Sequence, residues 1–115
     1  MSRKNPTKKI LILTGDGGES YETLYALHRM QEAGYTAHVA ALSKRRLHLV
    51  IHDFEPGWDT YIERHPGYGV EATVAVKDAK APAYDAILII GGRAPEYLRQ
   101  NAAVIKLVQA VDKPK

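Results

Sequence analysis

The sequence predicts an α/β fold: a flavodoxin-like, doubly wound and mainly parallel sheet carrying a small antiparallel excursion. Three observations lead there. Two short runs, Ile10–Leu13 and Ala86–Ile90, are wholly apolar and end at glycines, as strands buried on both faces do. Between the first run and the next strand lies a stretch of helical periodicity, so the opening is strand–helix–strand and implies a right-handed crossover. The middle of the chain instead alternates apolar and polar residues with a period of two, the mark of a strand with one wet face.

In order, Lys9–Thr14 is the first strand, and Gly15-Asp16-Gly17-Gly18 breaks it. A helix is expected from Ser20 to Ala33, with Leu24, Leu27 and Met30 recurring at helical spacing and Gly34 as its stop. Thr36–Leu42 is a second strand, and Lys44-Arg45-Arg46 turns the chain. Leu47–Ile51 is a short strand, and the segment 52–69 is rich in Pro, Gly and aromatics. Val70, Ala72, Val74 and Val76 form the alternating strand. After the buried strand Ala86–Ile90 come Gly91-Gly92, a short helix starting near Pro95, and an amphipathic helix over Ala102–Val111 with Val104, Leu107, Val108 and Val111 inward.

With 115 residues, 45% hydrophobic and 25% charged, the chain suits one soluble domain. The expected division is a basic tail over residues 1–8 and an α/β portion over 9–115. The net charge of +3 is local: Arg3, Lys4, Lys8 and Lys9 fall in an acid-free start, leaving 12 basic against 13 acidic residues. A solvated tail explains that charge, so no nucleic-acid partner is expected. No apolar run reaches bilayer length and no signal-peptide core follows the N-terminus, so the expected location is cytoplasmic and away from membranes. The five histidines show no metal-ligand spacing, and neither metal nor cofactor is expected. Gly15-x-Gly17 lacks the third glycine of a dinucleotide fingerprint, Ser20 standing in its place, and no P-loop Lys-Ser/Thr exists.

In open α/β sheets ligands gather beyond the carboxyl ends of the strands, where the strand order reverses. The loops 15–22 and 91–96 occupy such ends, so Glu19, Glu22 and Glu96 belong to one rim if both strands are central. Each glutamate has two roles open to it. It can complement the helix dipole in a first turn, or it can move protons at a reaction centre. Gly91 and Gly92, lacking side chains, let their backbone N–H groups approach a developing oxyanion. His52, His65, Trp58 and the tyrosines of the excursion are expected to be packing or surface residues.

The segments Gly15-Asp16-Gly17-Gly18-Glu19-Ser20-Tyr21-Glu22, His52-Asp53-Phe54 and especially Gly91-Gly92-Arg93-Ala94-Pro95-Glu96-Tyr97-Leu98 resemble the PfpI family. This is the intracellular-protease-like branch of the class I glutamine-amidotransferase-like superfamily, which includes the parkinsonism-associated deglycase. The resemblance runs from about Lys9 to Pro114. It implies a flavodoxin-like sandwich with a nucleophilic cysteine on a strand-to-helix elbow, followed by histidine. Glu22 would face the thiol and manage its proton, with Glu19 in support, and Glu96 would pair with the histidine, commonly across a subunit interface. Gly91 and Gly92 would line the oxyanion side. The chain contains no cysteine, and Lys113-Pro114-Lys115 stands where relatives lead into the cysteine-bearing strand. The expectation is therefore the N-terminal portion of a longer domain, with the apolar strands Ile10–Leu13 and Ala86–Ile90 left without a neighbour.

The function that this resemblance implies is cysteine-dependent chemistry on small reactive carbonyls, of glyoxalase or deglycase type. Two alternatives stand beside it: an intracellular cysteine peptidase acting on peptides, and a non-catalytic stress or scaffold protein stabilised by assembly. A glutamate working in trans would require a homo-oligomer.

Overall fold

In the computed structural model residues 7–113 are described, so most of the basic segment 1–8, like Pro114 and Lys115, lies outside them. The apolar run forms β1 (Lys9–Leu13) at the centre of a four-stranded parallel sheet. On one side it pairs with β2 (Thr36–Ala41), Ile12 facing Val39 in register; on the other it pairs with β8 (Ala86–Ile89), Ile12 facing Leu88. A two-residue strand, β7 (Val74–Ala75), closes the β2 side and gives the order β7-β2-β1-β8. Because β1 connects to β2 in one direction and β8 returns on the other, the strand order reverses beside β1. The crevice of such a sheet opens at that point.

Alternate residues of β1 serve opposite layers, as the pleat dictates. Ile12 faces α1 (Ser20–Glu32) and packs with Ala26 and Ile90. Leu11 and Leu13 face α2 (Ala94–Leu98) and α3 (Ala102–Asp112), against Leu98, Val104, Leu107 and Val111. Asn101 caps α3, its side-chain oxygen accepting the Val104 N–H at 3.1 Å. Val104, Leu107 and Val111 are buried as their spacing predicts, and Val108 is half-buried. In α1 the most deeply buried residues are Ser20, Thr23 and Ala26, while Leu24, Leu27 and Met30 are half-buried. Apolar spacing therefore finds the helix but misses its line of closest approach, where small side chains let backbone meet sheet.

The excursion differs most from expectation. The run 47–51 is not one strand: β3 (Arg46–His48) pairs antiparallel with β6 (Gly69–Glu71), and β4 (Ile51–Phe54) pairs antiparallel with β5 (Tyr61–Arg64). The alternating stretch 70–76 is divided likewise. Val70 belongs to β6, Val74 joins the main sheet through β7, and Val76 opens a 3-10 turn, Val76–Asp78. The alternation nonetheless marks burial, with Val70 and Ala72 packed against Val39, Leu47 and Leu49. A shared pattern of burial does not require a shared sheet.

The two strands expected to lack a neighbour differ in their place in the sheet, β1 being interior and β8 at an edge. β1 is flanked on both sides, and Leu11–Leu13 are buried to within 1%. β8 ends the sheet on the side opposite β7, and there the buried strand read over 86–90 is open: Leu88 is 37% and Ile89 50% exposed. Beside it Leu13, Ile89, Pro95, Leu98, Val104 and Ile105 line an apolar groove of about 240 Å³.

The small-residue contact of α1 yields a direct expectation. Ala26→Leu overfills the α1–β1 gap and costs about 1–3 kcal/mol. Met30→Leu, half-buried and similar in volume, costs less than about 1.5 kcal/mol. Denaturant midpoints of the two variants measure the difference.

Candidate active site

β1 leaves the sheet through Thr14 into Gly15–Gly18, and β8 leaves through Ile90 into Gly91–Gly92. The two turns meet as backbone. Glu19 N–H donates to the Gly91 carbonyl at 3.2 Å, and Arg93 N–H donates to the Gly17 carbonyl at 2.9 Å. These two bonds make a short antiparallel bridge between Gly18 and Gly92. Gly92 has φ +92°, and a Cβ there would stand 2.5 Å from the Gly17 oxygen and 2.7 Å from the Glu19 nitrogen. From the opposite side Val50 N–H donates to the Gly18 carbonyl at 2.9 Å, and Ser20 N–H donates to the Val50 carbonyl at 2.7 Å. The first turn is thus clasped between the second turn and the segment joining β3 to β4.

Glu19 is the N-cap of α1 and only 5% exposed. Its Oε1 accepts the Glu22 N–H at 2.8 Å, and its Oε2 accepts the His52 N–H at 3.2 Å. An N-cap carboxylate satisfies an orphan donor and complements the helix dipole. Glu22 is exposed, and its Oε1 accepts the Gly91 N–H at 2.7 Å. A Cβ at residue 91 would lie 2.8 Å from that oxygen and would displace the carboxylate. With Gly91 N–H committed to Glu22, the Gly92 N–H carries no hydrogen bond among the described residues. Glu96 sits in the first turn of α2 with its side chain 70% exposed, paired to Arg99 Nη2 at 3.2 Å. Glu19, Glu22, Gly91 and Gly92 are therefore brought together. Glu96 shares their rim but makes no hydrogen bond or ion pair with them among the described residues.

Next to Glu22 opens a cleft of about 590 Å³ walled by Tyr21, Ile51, His52 and Tyr61 as well as the two glutamates. Its far wall is the β4–β5 hairpin, which holds a cluster that residue spacing did not reveal. Glu63 accepts from His52 Nε2 at 3.0 Å, from His65 Nε2 at 2.7 Å and from Arg93 Nε at 2.9 Å. Burial pushes the Glu63 carboxyl up, but the hydrogen bonds from His52, Arg93 and His65 outweigh it and hold the group below its usual range. The His52 ring stacks on Tyr61 at 4.0 Å between centroids. His52 and Glu63 are cross-strand partners, a pairing that becomes visible only once the hairpin register is known. Asp16, in the first glycine turn, is likewise held low, first by Arg45 and then by the His48 N–H at 2.9 Å, against an opposing effect of burial.

Two expectations follow. Gly92→Ala combines an unfavourable φ with a backbone clash and destabilises by more than about 2 kcal/mol. Gly57→Ala, at φ +87° with nothing within 4 Å of the added methyl, costs about 1–2 kcal/mol, the left-handed backbone penalty alone. Equilibrium unfolding of both variants separates clash from dihedral. The second concerns pH. Carboxyls lowered in the folded state contribute stability that is complete at neutral pH and fades as pH falls through about 4. Thermal melts between pH 7 and 3 show this loss, and the double variant Asp16→Asn/Glu63→Gln flattens the curve.

Residues 8–115 match the DJ-1/PfpI family. The chain is 39% identical over 105 residues to Protein DJ-1 homolog D of Arabidopsis thaliana, covering 89% of this chain and 26% of that protein. It is 31% identical over 101 residues to a deglycase of Thermococcus kodakarensis, covering 88% of this chain and 52% of that protein. In fold it superposes with a TM-score of 0.73 and 22% identity on a two-domain protein of Anabaena variabilis containing DJ-1/ThiJ/PfpI-like and ferritin-like domains, over 91% of this chain and 26% of that one. The chain spans about half the length of the deglycase and a quarter of the plant protein. No helix among the described residues is long and apolar enough to cross a membrane. On the family match over residues 8–115, the chain belongs to the DJ-1/PfpI family.

Proposed function

We propose that this chain supplies the acid–base and oxyanion side of a cysteine-dependent site of deglycase or glyoxalase type, acting on small reactive carbonyls or their adducts. One observation carries the reading: the Glu22 carboxylate, bound to Gly91 N–H at 2.7 Å, joins the turns of two adjacent strands at the reversal point of the sheet. Several curated relatives are named deglycases, which favours carbonyl chemistry over peptide hydrolysis. The 115 residues contain no cysteine, so in this reading the thiol comes from polypeptide outside them.

A thiolate attacks the aldehyde carbon of a 2-oxoaldehyde; the C–S bond forms and the carbonyl π pair moves to oxygen. Protonation of that oxygen gives a hemithioacetal. Glu22, exposed on one side and anchored through Oε1 on the other, then carries the C1 proton to C2 while the hydroxyl proton passes from the C1 oxygen to the C2 oxygen, which converts the hemithioacetal to a thioester without net oxidation. Water releases a 2-hydroxy acid and regenerates the thiol. The free Gly92 N–H is the donor left for the developing oxyanion. The exposed Glu96 is available to a histidine of the same or a partner subunit, and a homo-oligomer follows if it works in trans.

The test is methylglyoxal turnover by the full-length protein and by its Glu22→Gln variant. General acid–base catalysis contributes about 10²–10⁴-fold, so kcat falls by at least a hundredfold while the fold persists. Equal rates would remove Glu22 from the chemistry.

A further inference from the structure

The hydrogen bonds of the site form a closed circuit. Gly91 N–H binds Glu22, whose own N–H binds Glu19 Oε1. Glu19 Oε2 takes the His52 N–H, and the His52 ring meets Glu63. Glu63 takes Arg93 Nε at 2.9–3.0 Å to its two oxygens, and Arg93 follows Gly91-Gly92 in sequence. The circuit closes through three parts of the fold that share no strand: the start of α1, the β4–β5 hairpin and the turn after β8.

We infer that Glu63 is a positioning residue which, by clamping Arg93 to the hairpin, fixes the Gly91–Gly92 turn against the Glu22 carboxylate. The placement supports this in three ways. A two-stranded hairpin is barely stable alone, so its attachment to the body has to come from such links. The Glu63 side chain is only 19% exposed although it sits on a hairpin, and it is gripped by three nitrogen donors. Bonds to ionised partners are the stronger kind, and the Glu63–Arg93 pair acts on the residue next to Gly92. His52 and His65 hold the carboxylate from the hairpin side and leave both oxygens facing Arg93. The functional importance of this brace rests on Glu22 being the proton carrier, but its existence can be tested without turnover.

The measurement is amide exchange and the amide proton shift of Gly91 in the full-length protein. Glu63→Ala and Arg93→Met, which remove opposite ends of the clamp, are each expected to raise Gly91 exchange about tenfold and to shift its amide proton upfield. Exchange at Leu11 and Ile12 stays unchanged, which separates a local effect from general destabilisation. The double variant adds nothing to either single one, because both remove the same link. Glu63→Gln, which keeps an acceptor, restores part of the protection. Arg64→Ala, which breaks the hairpin's separate pairs with Asp53 and Glu55, leaves Gly91 unaffected. Unchanged Gly91 exchange in both clamp variants, or an equal effect of Arg64→Ala, overturns the inference. Normal turnover in Glu22→Gln alongside a perturbed Gly91 signal would instead sink the proposed function and leave the brace standing.

Discussion

The rim of this sheet depends on one contact, the backbone bridge between Gly18 and Gly92. Two turns that leave neighbouring parallel strands approach so closely that residue 92 could not carry a side chain without displacing the backbone of residues 17–19. That approach brings the start of α1 within reach of the Gly91 N–H and allows one carboxylate to tie helix, turn and sheet together. A single methyl at residue 92 would force the turns apart before any side-chain chemistry was considered. The constraint is steric first and electrostatic second.

Much of this was legible in the residues themselves. The apolar runs marked β1 and β8, the glycines marked their ends, and loop position put Glu19, Glu22 and Glu96 on one rim with Gly91 and Gly92, although Glu96 pairs with Arg99 instead of joining the others. The elements are legible because buried parallel strands have a distinctive composition, and the shared rim because loop position in an α/β sheet follows from topology. The excursion was legible only in outline. Residues 70–76 alternate without interruption, yet they serve two sheets and a 3-10 turn, because period-two burial reports which side chains face inward and not which strand lies alongside. The openness of β8 was visible in neither its length nor its hydrophobicity, since exposure of an edge depends on neighbours.

The Glu63 cluster was missed for a related reason. Its four members come from residues 52, 63, 65 and 93, and nothing in their spacing points from one to another. The hairpin register places His52 opposite Glu63, and the bridge between the glycine turns delivers Arg93 to the same spot. The cluster is thus a product of tertiary structure acting on ordinary surface-type residues. It gives a short, solvent-washed hairpin a fixed orientation over the cleft, which its own two strands could not impose. Glu19 shows the same economy: a residue type uncommon at N-caps reaches the hairpin backbone with one oxygen and the helix with the other.

The open flank of β8 has a geometric consequence of its own. Adjacent strands lie about 4.8 Å apart, and in a parallel pair their carboxyl ends emerge on the same side. Any polypeptide that zips onto this flank in parallel, whatever its source, therefore delivers its next turn one strand-width from Gly91.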